Sequence, residues 1–331
     1  MDIAELRELR QIVSTAAGPT SFVDTGGDGP VALFIHGIAT NAALWRRPIA
    51  RLRHERRCIA VDLPLHGRSP ASPDQDITLT GLADFVSAFC DALDLEEVDV
   101  VSNDTGGAIA QVLAVRDTAR LRSLVLTNCD TEGNMPPRAF MGTVRLARAR
   151  LLAPVLRSLR ANVHAARRQV FSSGYQDVTN QPLEVTAEFL APVIESRASA
   201  RLFQRWVAGL SDAELKSVGP GLAALEVPTL MVWGTGDPFF ATRWAHRLHE
   251  QIPGSRGVVE VPDGKLFFPD ERPDDLVAAL SAFWGSLAPP SPAAPSTHLP
   301  LAAATGGTDG PVGHRADDTV RDDLTLADGQ T

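Results

Sequence analysis

Val98-Asp99-Val100-Val101-Ser102-Asn103-Asp104-Thr105-Gly106-Gly107-Ala108 is the stretch from which the rest of the chain can be read. An apolar run, Val98 to Val101, leads through small side chains into a helix-forming run from Gly106 to Arg116. A strand that turns directly into a helix strains the backbone at the turn and admits only small neighbours, here Ser102 and Gly106 on either side of Asp104. This is the pattern of a nucleophile elbow. It sets the Asp104 carboxylate at a helix N-terminus, where the dipole and free amides favour the ionised form, so no base is needed to make it a nucleophile. The plainer reading is that Asp104 only caps its helix.

Outward from this turn, short apolar runs recur: Val31 to Ile35, Cys58 to Val61, Leu124 to Leu126, Thr229 to Trp233 and Val258 to Val261, with a weaker one at Ser21 to Asp24. Helical stretches fit at Leu79 to Leu93, Ala241 to Gln251 and Asp274 to Leu287. Continuous apolar strands alternating with helices predict an α/β fold with a mostly parallel sheet covered on both faces. The long interval between Leu126 and Thr229 has helical patterning of its own and reads as an inserted cap. The expected organisation is therefore a core in two parts, residues 1–130 and 221–288, a helical cap over 131–220, and a tail over 289–331. Beginning near Pro289-Pro290-Ser291-Pro292, that tail has a composition that predicts disorder.

With 331 residues, 44% hydrophobic and 21% charged, the chain can bury a large core, and its net charge of -9 argues against a nucleic-acid partner. Met1 to Arg10 has no apolar run, so neither a signal peptide nor a membrane helix is expected. A cytoplasmic location without a membrane partner follows as the expectation. Cys58, Cys90 and Cys129 are spaced too widely for a zinc or redox pair and read as buried thiols. No metal or organic cofactor is implied, because no His/Cys/Asp cluster has ligand spacing and Gly106-Gly107 belongs to the elbow. Arg138 to Arg168 contains eight arginines and no acid. That is either a site for an anionic substrate or partner, or a solvated cap face.

The loop Phe34-Ile35-His36-Gly37-Ile38, then Trp45-Arg46, then Asp62-Leu63-Pro64-Leu65-His66-Gly67-Arg68-Ser69, combined with the elbow, resembles the α/β-hydrolase superfamily from about residue 20 to 287. The resemblance implies an oxyanion hole from the amides of Ile38 and Thr105. An aspartate at the elbow further resembles the branch of haloalkane dehalogenases, fluoroacetate dehalogenases and epoxide hydrolases, in which the carboxylate forms an alkyl ester that a histidine-activated water cleaves. It implies Asp237, in Gly234-Thr235-Gly236-Asp237-Pro238, as the acid member, with Asp130 as the alternative. The branch's histidine has no counterpart. Aligning Pro269-Asp270-Glu271-Arg272-Pro273 with the usual tail puts Leu266 in its place, with Lys265 beside it. Of the eight histidines, His36 and His66 are loop residues of the fold, and His164 in the cap is the only candidate substitute.

Thr105 stands where dehalogenases hold halide with tryptophan, which disfavours dehalogenation. A single tyrosine, Tyr175, stands against the two that epoxide hydrolases usually carry, leaving a one-tyrosine version open. His36, Trp45, Asn103, Asp130, Tyr175, Trp206 and Leu266 are candidate contacts to a small, largely apolar substrate. The reading is an epoxide hydrolase-like enzyme. One alternative is a non-hydrolytic acid–base catalyst using Asp104 and Asp237 without a histidine, since two buried carboxylates raise at least one pKa. Another is a ligand-binding protein without catalysis. Oligomeric state stays open.

Overall fold

The computed structural model describes residues 1–288, so the expected disordered tail lies outside the described residues. The chain opens with α1 (Ile3–Glu8), whose N-cap Asp2 accepts from the Glu5 amide at 2.9 Å and which buries Ile3 and Leu6. Strands β1 (Arg10–Thr15), β2 (Gly18–Asp24) and β3 (Val31–Ile35) follow, then α2 (Arg46–Leu52), β4 (Arg57–Val61) and α3 (Leu79–Ala92). The central unit is β5 (Val98–Asp104), α4 (Thr105–Arg116) and β6 (Leu121–Cys129). After six further helices come β7 (Thr229–Gly234), α11 (Arg243–Gln251), β8 (Ser255–Val261), α12 (Phe268–Glu271) and α13 (Pro273–Gly285).

The eight strands form one sheet in the order β1-β2-β4-β3-β5-β6-β7-β8. β1 and β2 are antiparallel, β2 runs antiparallel to β4, and all remaining pairs are parallel. Every residue of β5 and β7 is buried, as expected of parallel strands covered on both faces, whereas the edge strands β1 and β8 are mostly half-exposed or exposed. α4 is buried from Thr105 to Ala114, because α3 and α10 (Ala213–Leu222) cover it while it lies on β5 and β6. At the start of β5, Asp99 is fully buried but paired with Arg56 at 2.6 Å and Arg122 at 2.5 Å, and the Arg56 guanidinium stacks 3.8 Å over the Trp284 ring. That arrangement fastens α13 to the sheet. Cys58, Cys90 and Cys129 are buried and free.

Between β6 and β7 lie α5 (Met141–Arg148), α6 (Leu152–Ser158), α7 (Val163–Ala166), α8 (Leu183–Ile194), α9 (Arg197–Gly209) and α10. α9 is the hub, with Phe203, Trp206 and Val207 at helical spacing buried against its neighbours and Ser196 capping its first turn. Polar contacts tie these helices to the sheet. Glu188 of α8 pairs with Arg7 at 2.7 Å and Arg10 at 3.5 Å, while Arg10 also pairs with Asp62. The Asn41 amide donates to the Glu188 carbonyl at 2.9 Å.

Candidate active site

Asp104 ends β5 with φ 57° and ψ -134°, a conformation costly for any residue with a Cβ. Two glycines make room for it. A Cβ on Gly37 would fall 2.4 Å from Asp104 Oδ2, and one on Gly106 would fall 2.3 Å from the His36 carbonyl oxygen. The carboxylate makes no N-cap bond to α4, which departs from the plain capping alternative. Instead Oδ2 accepts from the Ile38 N–H at 3.0 Å, and the adjacent Thr105 N–H also favours the ionised form.

Two more carboxylates converge on this point from the next two strand ends. Asp130, just past β6, accepts from the Thr105 hydroxyl at 2.9 Å through Oδ2, while its Oδ1 is buried with no protein partner. Asp237, past β7, accepts from the Asn128 side chain at 2.7 Å through Oδ2 and from the Phe239 N–H at 2.7 Å through Oδ1. Asn128 is itself clamped by the Gly234 backbone, donating to its carbonyl and accepting from its N–H. Burial pushes Asp130 and Asp237 up to about 7. It holds Asp104 well above the carboxylate range, reinforced by the charges of Asp130 and Asp237 and opposed by the two amide donors.

Asp104 and Asp130 open onto an apolar cavity of about 80 Å³, and Asp237 is not among its lining residues. Ile38, Asp104, Thr105, Asp130 and Leu266 line it, with Ala39, Pro137, Phe140, Val170, Phe171, Gly174, Leu210, Phe239, Phe240 and Phe267. Leu266, where the resemblance calls for a histidine, therefore presents a branched alkyl group to the cavity, and its carbonyl is held by the Asn103 side chain at 3.0 Å. Asn103 thus braces the wall from behind. The following residue, Phe267, donates its N–H to the Gly174 carbonyl at 2.8 Å and stacks its ring near Phe171 and Tyr175.

The remaining expected contacts lie off the wall. Tyr175 is fully buried on the far side of Phe267, donating to Asp270 at 2.9 Å and accepting from Gln181 at 3.2 Å, and Asp270 pairs with Arg46 at 2.5 Å. Trp45 packs on Phe34 with ring centres 5.2 Å apart, and Trp206 meets the His66 ring edge-on at 5.0 Å. His36 donates from Nδ1 to the Gly37 carbonyl at 2.7 Å and accepts the Leu63 N–H at Nε2. His66 is anchored in the same way to the Pro64 carbonyl and the Ala39 N–H. Burial pushes these two histidines down to about 4 and about 3, so both are neutral supports of the loops around Asp104. His164 is exposed on α7, His54 is exposed in a turn, and His246 and His249 are exposed on α11. His298 and His314 lie outside the described residues. No group of His, Cys, Asp and Glu among the described residues is arranged to hold a metal.

Sequence reasoning missed most of the apolar wall. Phe239 and Phe240, directly after Asp237-Pro238, and Phe267, directly after Leu266, carried the usable signal, because aromatics beside a candidate acid and beside a candidate wall residue share their surroundings.

The model of the family described as alpha/beta hydrolase fold matches residues 30–272. A haloalkane dehalogenase of Mesorhizobium japonicum is 39% identical over 104 residues, 31% of this chain, so that the chain spans only 33% of that relative. Haloalkane dehalogenase 2 of Mycobacterium bovis is 29% identical over 282 residues, covering 82% of this chain and 93% of that protein. Among solved structures, an epoxide hydrolase determined without ligand superposes with a TM-score of 0.70 at 18% identity, covering 83% of this chain and 98% of the other, a likeness of fold. With the sheet order, the strained turn after β5 and a family match that takes in both, the chain belongs to the α/β-hydrolase fold family.

Proposed function

We propose that the chain is an enzyme that acts on a small, largely apolar molecule by carboxylate acid–base chemistry centred on Asp104. The observation that carries this reading is that Asp104 and Asp130 share one apolar cavity with Leu266, not an imidazole, in the wall, while Asp237 lies near enough for its charge to raise Asp104 further. Three like charges in one desolvated site cannot all persist, so a proton is retained near neutral pH. Asp104, the most strongly raised, is the acid that donates to a substrate oxygen or leaving group beside the Ile38 N–H. Asp130, with an unpartnered oxygen and a pKa near 7, is the base that accepts a proton in exchange. The two transfers leave the protein's proton count unchanged and add no water to the product.

A second reading has Asp104 ionised and attacking an sp3 carbon to give an alkyl ester. The dehalogenase relatives and the two amide donors favour it, as does the epoxide hydrolase neighbour at the level of fold alone. Without a histidine on the wall, that ester would persist. Tyr175 gives no support to epoxide activation, since its hydroxyl is committed to Asp270.

One experiment separates them. The protein and its Asp104→Asn variant are incubated with a panel of small apolar epoxides, alkyl halides and lactones in oxygen-18 water, and both intact protein and products are weighed. Unlabelled, isomeric product that depends on Asp104 is the expected result. A stable mass adduct on Asp104, or label in the product, overturns acid–base chemistry in favour of the ester route.

A further inference from the structure

The cap arginines and the exposed aliphatics among them form a surface the active-site reading does not use. Arg138, Arg145, Arg148, Arg150, Arg160 and Arg168 are exposed, and none of the eight arginines between 138 and 168 forms an ion pair among the described residues. That contrasts with a chain whose net charge is -9 and whose other arginines are widely paired. In the same segment Leu146, Leu151 and Val155 are 39%, 52% and 43% exposed. The other large exposed aliphatics among the described residues, Ile12 and Val259, sit separately on the two edge strands.

The backbone brings these three residues together at one turn. Arg150, in the left-handed region at φ 63°, turns the chain between α5 and α6, and the Leu151 N–H bonds to the Leu146 carbonyl at 2.9 Å. Val155 is one helical turn beyond Leu151, its N–H bonded to the Leu151 carbonyl. Both helices bury the opposite face, Val144 and Ala147 on α5 and Leu152 and Leu156 on α6, where they pack on α9. An aliphatic corner is thus set between Arg145, Arg148 and Arg150. Phe140, immediately before α5, lines the cavity, as do Val170 and Phe171 beyond α7.

We propose that the α5–α6 corner docks on an anionic lipid surface, with Leu146, Leu151 and Val155 entering the headgroup boundary and the flanking arginines pairing with phosphates. Aliphatic side chains ringed by unpaired arginines fit this partner better than an acidic protein, which would match the charge and leave the exposed aliphatics without a role. The contact is with the surface alone, since no helix among the described residues is long and apolar enough to cross a membrane. It departs from the expectation, drawn from hydropathy, of no membrane partner.

The test is sedimentation of the full chain with vesicles of phosphatidylcholine alone and of an equimolar mixture with phosphatidylglycerol, at low and high salt. The expected result is binding to the mixed vesicles only, weakened by salt. Arg145→Glu/Arg148→Glu/Arg150→Glu and Leu146→Ser/Leu151→Ser/Val155→Ser are each expected to lose about 10-fold or more in affinity, with unchanged near-UV circular dichroism, while Ile12→Ser binds like the parent. Failure of the unmodified chain to bind mixed vesicles overturns the proposal without recourse to any variant. So does undiminished binding of the triple-serine variant, or capture by polyglutamate that the serine substitutions leave intact, which would assign the surface to an acidic macromolecule.

Discussion

Asp130 carries two constraints that pull against each other. Its Oδ2 is held by the Thr105 hydroxyl, next to the residue in the strained turn, while Oδ1 is buried without a partner, so the ionised form is destabilised and its pKa rises to about 7. Asparagine keeps the Thr105 contact, since its carbonyl oxygen accepts in the same place, and removes the charge. Asp130→Asn is therefore expected to stabilise the fold by about 2–4 kcal/mol at pH 8, above the folded value of about 7, and by only about 1.5 kcal/mol at pH 5, where the folded side chain keeps its proton and the unfolded one has lost it. Urea unfolding at the two pH values checks this. An equal effect at both would place the change in packing instead of charge. If Asp130 is the base of the proposed reaction, the same substitution lowers kcat and removes the acid limb of the pH profile, trading activity for stability as buried functional charges do.

At the scale of elements, the wall around Leu266 depends on how the β8–α12 connection is fastened to the helices above it. Gly174 makes this contact possible, because a Cβ there would lie 2.5 Å from two ring carbons of Phe267, which is only 5% exposed and has little room to withdraw. Gly174→Ala is expected to cost about 1–3 kcal/mol through overpacking. It should also raise KM for any cavity-bound substrate more than it lowers kcat, since the displaced residues are wall and not carboxylates. Thermal melts with steady-state kinetics read both, and a pure kcat loss would contradict it. The central strands of the sheet were legible in the sequence, because β3, β5, β6 and β7 are covered on both faces and each carries a short apolar run. β1 was not, since an edge strand of Arg10-Gln11-Ile12-Val13-Ser14-Thr15 has no face that must be apolar throughout. The same logic divides the site. Asp104 could be read because its turn, its small neighbours and its carboxylate are contiguous. The aromatic wall and the place of Tyr175 behind Phe267 depend on segments that meet only in space, such as Gly174 with Phe267 and Tyr175 with Asp270.

Over the whole molecule, buried ionisable groups of two kinds set the pH dependence of stability, and they oppose one another. Asp104, Asp130 and Asp237 keep protons in the folded state that the unfolded chain releases near its ordinary carboxylate value, so each lowers stability as pH rises from about 4 toward 7. His36 and His66, lowered to about 4 and about 3, stay neutral when folded, while the unfolded chain protonates them below about 6.5. They therefore raise stability over the same interval. Each group in that window contributes a slope of about 1.4 kcal/mol per pH unit, and three carboxylates against two histidines leave a net decline of about one such slope, to which Asp270, also raised by burial, adds in the same direction. The parent protein is expected to be more stable at pH 5 than at pH 7. The triple variant Asp104→Asn/Asp130→Asn/Asp237→Asn removes the three site carboxylates and leaves the two histidines against Asp270 alone, so its stability should rise over the same interval. Chemical denaturation of both proteins at half-unit pH steps measures the two slopes. Slopes of the same sign would mean that the three carboxylates are ionised in the folded protein at neutral pH, and the proton on which the acid–base reading depends would not be there.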